Sequence, residues 1–389
     1  MPLQEKASSP SHDSLTNTTH LLPTNMAPTE EEARKALETL ITTASTLLEQ
    51  LQSILTSIQR SPTTPSASST EITDIDALAL ARDCSSLIRA HGTKISLLII
   101  NEPFTPSALT TVVRELVKGP IPGLATAAQA CETKLYTSVV RKELAYRAQK
   151  VLTELLNLLN RVPKDGKVLS GVGRDSGSGS LALTGMLWSA CDEVVALANM
   201  GVGGFFVKKA EEWRDTLKDV MEELKEWGEE EDDEDEDEVD DLADKMNDAS
   251  LSNQEMLDEI MNSSSAIPRS DPDKIRPRLD STLKRLRMVV LLYQALSKRR
   301  FKKLPKDTTK GDMPAKLDTT ANVLAALPDK FGDLAEAFYE LDGEEIDNLM
   351  EECFESAVGV SEVLKIGWEG ESDEFSEWME KFKVEVKKS

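Results

Sequence analysis

The sequence predicts an all-α fold of two elongated antiparallel helical bundles joined by an acidic linker. Three observations carry that prediction. Apolar residues recur at alternating steps of three and four along most of the chain, the stripe of a helix packed on its neighbours. Aromatic residues make up only 5% of the 389 residues, too few for the aromatic and β-branched runs that build sheets. The 19 Gly and 17 Pro are grouped into a few connectors instead of punctuating short strands.

The first helix has a start signal, since Thr29 followed by Glu32 is a capping box whose hydroxyl and carboxylate satisfy free backbone N–H groups. Behind it Leu37, Ile41, Ala44, Leu48, Leu51, Leu55 and Ile58 form one apolar seam. A second helix is predicted over 72–100, ending before Asn101-Glu102-Pro103. Thr105-Pro106 reads as the N-cap and first residue of a short helix that Gly119-Pro120 closes. Residues 124–162 contain no breaker and predict one helix of about 60 Å. Helices over 181–200 and 205–227 are expected on either side of the Gly201, Gly203, Gly204 cluster.

The second half repeats the period without repeating the residues. Leu279, Leu283, Leu286, Val290 and Tyr293 form one seam. Leu317, Thr320, Leu324, Leu327, Phe331, Leu334 and Phe338 form another, in which Pro328 is expected to kink or restart the helix. Ile346, Met350, Cys353, Ala357, Val360 and Leu364 make a third, and a closing helix over 371–386 carries Phe375, Trp378 and Phe382 on one side. The expected organisation is a disordered tail (1–28), an N-terminal bundle (29–228), an acidic and largely disordered linker (229–273) and a C-terminal bundle (274–389). Connectors are expected at SPTTPSASST (61–70) and around GVGRDSGSGS (171–180).

The net charge of −24 is polarised. Twelve of the thirteen residues 229–241 are Asp or Glu, whereas residues 274–310 hold thirteen Lys or Arg against Asp280 and Asp307. A block of like charges repels itself and reads as a solvated linker. A second reading makes it a polyanion that docks on a basic partner or on the chain's own basic segment, so that deleting 229–241 would change bundle spacing most at low salt. The cluster Lys298, Arg299, Arg300, Lys302 and Lys303 reads either as a nuclear-import patch or as the solvated C-terminus of a helix, where cations complement the macrodipole. Direct nucleic-acid binding fits poorly with the overall acidity and the lack of an aromatic reading surface.

Enzyme chemistry lacks raw material. Cys84, Cys131, Cys191 and Cys353 stand far apart, and the only histidines are His12, His20 and His91, which argues against a zinc site or a histidine-based triad. The glycine-rich pieces complete no phosphate-binding motif. No catalytic residue, cofactor or metal is expected. No apolar run approaches the roughly 20 residues that span a bilayer, and residues 1–28 lack the apolar core of a secretory signal. An intracellular, reduced protein without membrane contact is expected.

The segment Leu187-Trp188-Ser189-Ala190-Cys191-Asp192 resembles the Trp-x-Ala-Cys-Asp signature of the cyclin-D-binding (cyclin-D-interacting) protein family. It follows a long helix ending LTELLNLL (152–159) and precedes a helix leading to an acidic stretch, as in that family. RLDSTLKRLRMVVLLYQAL (278–296) and Asp333-Leu334-Ala335-Glu336-Ala337-Phe338-Tyr339 resemble its C-terminal half. The resemblance runs from about residue 35 to 370. It implies vinculin-like or α-catenin-like bundles, binding of D-type cyclins, restraint of cell-cycle entry, and presence in both cytoplasm and nucleus. It also implies a second description of the family, as helix-loop-helix proteins without a basic region. Trp188, Ala190, Cys191 and Asp192 are then structural or partner-binding residues. A cell-cycle regulator acting by partner binding is the leading expectation. A vinculin-like cytoskeletal or adhesion adaptor is the first alternative, and an acidic chaperone of basic nuclear proteins the second.

Overall fold

The computed structural model describes residues 29–63, 75–164, 168–169, 179–229, 267–305 and 312–388. The expected tail, most of the 61–70 connector, the GVGRDSGS stretch and residues 230–266 of the acidic linker lie outside the described residues. Within them every regular element is a helix, and no strand occurs among the described residues.

Helix α1 (Glu30–Arg60) begins with the expected capping box: Glu32 N donates to Thr29 Oγ1 at 3.3 Å and Thr29 N to Glu32 Oε2 at 2.9 Å. Its seam is buried at Leu37, Ala44, Leu48, Leu55 and Ile58. Helix α2 (Ala77–Ile100) starts later than expected, because Asp76 caps it by accepting from Ala79 N at 3.0 Å. Helix α3 (Pro106–Lys118) has Pro106 in its first turn, but Thr105 does not cap it and instead donates to the Pro103 carbonyl.

The single long helix expected over 124–162 is three helices: α4 (Pro120–Ala130), α5 (Thr133–Tyr136) and α6 (Ser138–Leu159). No Gly or Pro breaks it. The start of α6 is capped locally, by Thr137 Oγ1 accepting from Val140 N at 3.2 Å, and also from a distant helix. Thr137 sits at φ 77°, and the carboxylate of Asp318, from a distant helix, accepts from Ser138 N at 2.7 Å and Val139 N at 3.1 Å. An anionic cap at a helix N-terminus satisfies N–H groups that would otherwise be buried without partners.

Helix α7 (Ser180–Glu229) is continuous except at Gly201, whose φ of 64° bends the chain. This left-handed backbone suits glycine, which has no Cβ to clash. By length and composition α7 is apolar enough to cross a membrane, contrary to the sequence reading. In the fold, Leu187, Ala190, Cys191, Val194 and Leu197 are buried against α2 and α6, which places one face of the apolar run, 33% of that stretch, in the core.

Helix α8 (Ile275–Arg299) leads through a 3₁₀ turn (Phe301–Lys303) to α9 (Met313–Tyr339), α10 (Gly343–Val363) and α11 (Glu374–Val386). Helix α9 continues through Pro328 instead of restarting. Proline cannot donate to the Leu324 carbonyl four residues back. The buried Tyr293 hydroxyl of α8 donates to that carbonyl at 2.7 Å, so the orphaned acceptor is satisfied from another helix.

The helices pack in two groups that share α7. The segment 205–227, assigned from sequence to the N-terminal bundle, packs instead on the C-terminal helices. Phe206 meets Phe301 at 5.6 Å, and Trp227 meets Phe338 at 6.2 Å and Tyr339 at 5.3 Å between ring centroids. The reason is geometric: a helix bent at Gly201 offers one apolar face to α2 and α6 before the bend and another to α8 and α9 after it. Residues 267–273, expected to be disordered linker, also have a defined place. Ile267 is fully buried, and Asp271 accepts from Ile275 N and Arg276 N at the start of α8.

Candidate functional site

The signature residues form the joint between α7 and α2. Ala190 and Cys191 are buried, and burial pushes the Cys191 thiol up to about 12, so it is a core residue without thiolate reactivity. Trp188 and Asp192, one turn apart, lie on the exposed edge of the joint. The Arg89 guanidinium of α2 sits 5.1 Å from the Trp188 ring centroid and 3.2 Å from Asp192 Oδ1. Trp188 Nε1 donates to Thr93 Oγ1 at 3.0 Å. Gly92 lets the helices approach, because a Cβ there would stand 2.5 Å from Leu187 Cδ2. On the other side of α7, Lys150 pairs with Glu193 at 2.7 Å and Arg147 donates to the Glu193 carbonyl.

Trp188 keeps 37% of its surface exposed. The arrangement therefore does two things. It locks α7 on α2, and it presents an aromatic ring flanked by a cation and an anion, the composition of a protein-binding hot spot. Arg89 and Thr93, half of this cluster, carry no sequence signal, because they lie about a hundred residues upstream on another helix.

The expected basic patch is divided by the fold. Lys298, Arg299, Lys302 and Lys303 are exposed, whereas Arg300 is 1% exposed. Its guanidinium pairs with Asp373 at 2.9 and 3.0 Å, donates to the carbonyls of Leu364 and Lys365, and lies 4.4 Å from the Phe375 ring centroid. A fully desolvated and fully bonded arginine is a structural strut. It is not available to an import receptor, so the five-residue patch reduces to four.

A cleft of about 890 Å³ lies where the two helix groups meet, lined by Asp76, Arg82, Tyr136, Gly201, Lys302 and Leu304 among others. A smaller groove of about 400 Å³ lies between α8 and α11. Among the described residues no group of three or more His, Cys, Asp or Glu is placed to hold a metal ion.

Known proteins fit this picture. An uncharacterized protein of Schizosaccharomyces pombe is 23% identical over 310 residues, a match covering 79% of this chain and 84% of that protein. Residues 81–230 match the family model described as Grap2 and cyclin-D-interacting, N-terminal, a span that contains α7, the Trp188 to Asp192 signature and its partners Arg89 and Thr93. Over that region the chain is similar to the N-terminal part of the Grap2 and cyclin-D-interacting proteins.

Proposed function

We propose that this protein is a non-enzymatic interaction module that binds a D-type cyclin and thereby restrains cell-cycle progression. The carrying observation is the match over 81–230 to a family named for its interaction with cyclin D. The exposed Trp188, Arg89 and Asp192 cluster lies inside that span and supplies a surface of the right kind, an aromatic anchor with charges of both signs. Residence in both cytoplasm and nucleus belongs to the same reading, with import through Lys298, Arg299, Lys302 and Lys303.

The test is direct binding of a purified D-type cyclin to the purified full chain, followed by biolayer interferometry. Binding with a Kd of about 10 μM or tighter is expected, weakened about tenfold by Trp188→Ala while the thermal melt stays cooperative. Absence of binding at high micromolar cyclin overturns the cyclin reading. Import is tested by imaging the Lys298→Ala, Arg299→Ala, Lys302→Ala, Lys303→Ala variant, and an unchanged nuclear fraction overturns that part.

A further inference from the structure

The groove between α8 and α11 lies outside the span of the family match. The two helices run antiparallel, as Arg300 pairs with Asp373 at one end and Arg285 donates to the Val386 carbonyl at the other. Its floor is apolar: Leu291 is 41% exposed, and beside it Phe375 and half-buried Trp378 continue a stacked row to Phe382, with centroid spacings of 5.9 and 5.5 Å. The α8 rim is basic. Lys284, Arg287, Leu291, Gln294 and Lys298 follow steps of three and four and so share one face, with Arg299 next to Lys298. On the α11 side Glu374 meets Arg299 at 3.5 Å, and Glu385 stands near Lys284.

We propose that this groove is a docking site for an acidic amphipathic helix of a protein partner, with one large apolar side chain set against Leu291 and Trp378. The volume of about 400 Å³ takes one or two such side chains. Charge complementarity selects the occupant. The chain as a whole carries −24 and repels an acidic partner, but charges beyond about 8 Å are largely screened at physiological salt, so the local basic rim decides.

A single-stranded nucleic acid is the competing occupant of a basic and aromatic surface, and it fits less well. Bases stack on a free ring face, whereas Trp378 already lies nearly parallel to Phe375 and Phe382, at 13° and 22° interplanar angle, which leaves less of its face for a base than for an aliphatic or aromatic side chain in edge contact.

The experiment uses the full chain and three fluorescein-labelled probes. One is a 16-residue peptide with Leu at positions i, i+3, i+4 and i+7 and Glu and Ala elsewhere, the second has Lys for each Glu, and the third is oligouridine. Fluorescence anisotropy is expected to show binding of the Glu peptide alone, weakened about tenfold by Lys298→Glu with Arg299→Glu and likewise by Leu291→Asp. Both variants change exposed side chains, and circular dichroism checks that they fold. Equal binding of the Lys peptide, binding of oligouridine that the same variants abolish, or Glu-peptide binding that ignores both variants overturns the proposal. So does a dimer in sedimentation that Leu291→Asp dissociates, which assigns the groove to a second copy. Cyclin binding measured on the same variants is expected to persist, which keeps this site separate from the function proposed above.

Discussion

Arg300 illustrates how one residue's environment reverses its meaning. On the sequence it stands among Lys298, Arg299, Lys302 and Lys303 and reads as one more surface cation. In the fold its side chain is 2% exposed and holds the loop before α11 through Asp373 and two carbonyls. Replacing it with Met leaves the Leu364 carbonyl without its donor and Asp373 and the Lys365 carbonyl with Ser376 alone, a loss expected to cost about 1–3 kcal/mol. The pair also sets an acid limit. Hydrogen bonds from Arg300 hold the Asp373 carboxyl well below the usual carboxylate range. A depressed folded pKa stabilises the protein above the unfolded value of about 4 and ceases to do so as pH falls through that value towards the folded one. The gap in unfolding free energy between the parent and Arg300→Met is therefore expected to be full at neutral pH and to narrow below about pH 4. Urea titrations at several pH values read it directly, and a gap independent of pH removes the ion pair as its cause.

Among the elements, α9 shows a helix repaired from outside. Its proline removes one donor, and the carbonyl it abandons is taken by Tyr293 of α8. Tyr293→Phe is expected to cost about 1–3 kcal/mol, the penalty for an unsatisfied buried acceptor. In a Pro328→Ala background the restored N–H serves Leu324, and the same Tyr293→Phe change is expected to cost clearly less. A double-mutant cycle by chemical denaturation measures this coupling. Additivity of the two changes means that the hydroxyl and the proline act independently. The start of α6 is likewise supported from outside, with Asp318 of α9 capping it across the interface between the two helix groups.

For the whole molecule, the connection between the two groups is α7, not the acidic run. Helix α7 packs on α2 and α6 before Gly201 and on α8 and α9 after it. The Arg276 guanidinium donates to the carbonyls of both Gly228, at 3.3 Å, and Ile267, at 3.4 Å, so the two stems around residues 230–266 are held together. Replacing 230–266 with a short Gly/Ser linker is therefore expected to leave unfolding cooperative and stability within about 0.5 kcal/mol of the parent, with unchanged spacing of the helix groups by X-ray scattering at low and high salt. Two separate transitions, or a spacing that changes with salt, restores the acidic run as the joint.

The sequence by itself determined the helical class, because period and composition are local properties. The Thr29 capping box and the seams through Leu48, Leu324 and Cys353 needed nothing beyond neighbours in the chain. The Trp188 to Asp192 signature was legible too, but only as a pattern. Its partners Arg89 and Thr93 were not, since they reach it through a helix crossing that Gly92 permits. Only the tertiary structure decided where 124–162 breaks, why Pro328 does not stop α9, which side of α7 meets which helices, and which of five adjacent cations is buried. The physical reason is common to all four. Each turns on one polar group or one bend whose partner is distant in sequence, and a buried donor or acceptor takes its partner from whichever helix the packing brings within reach.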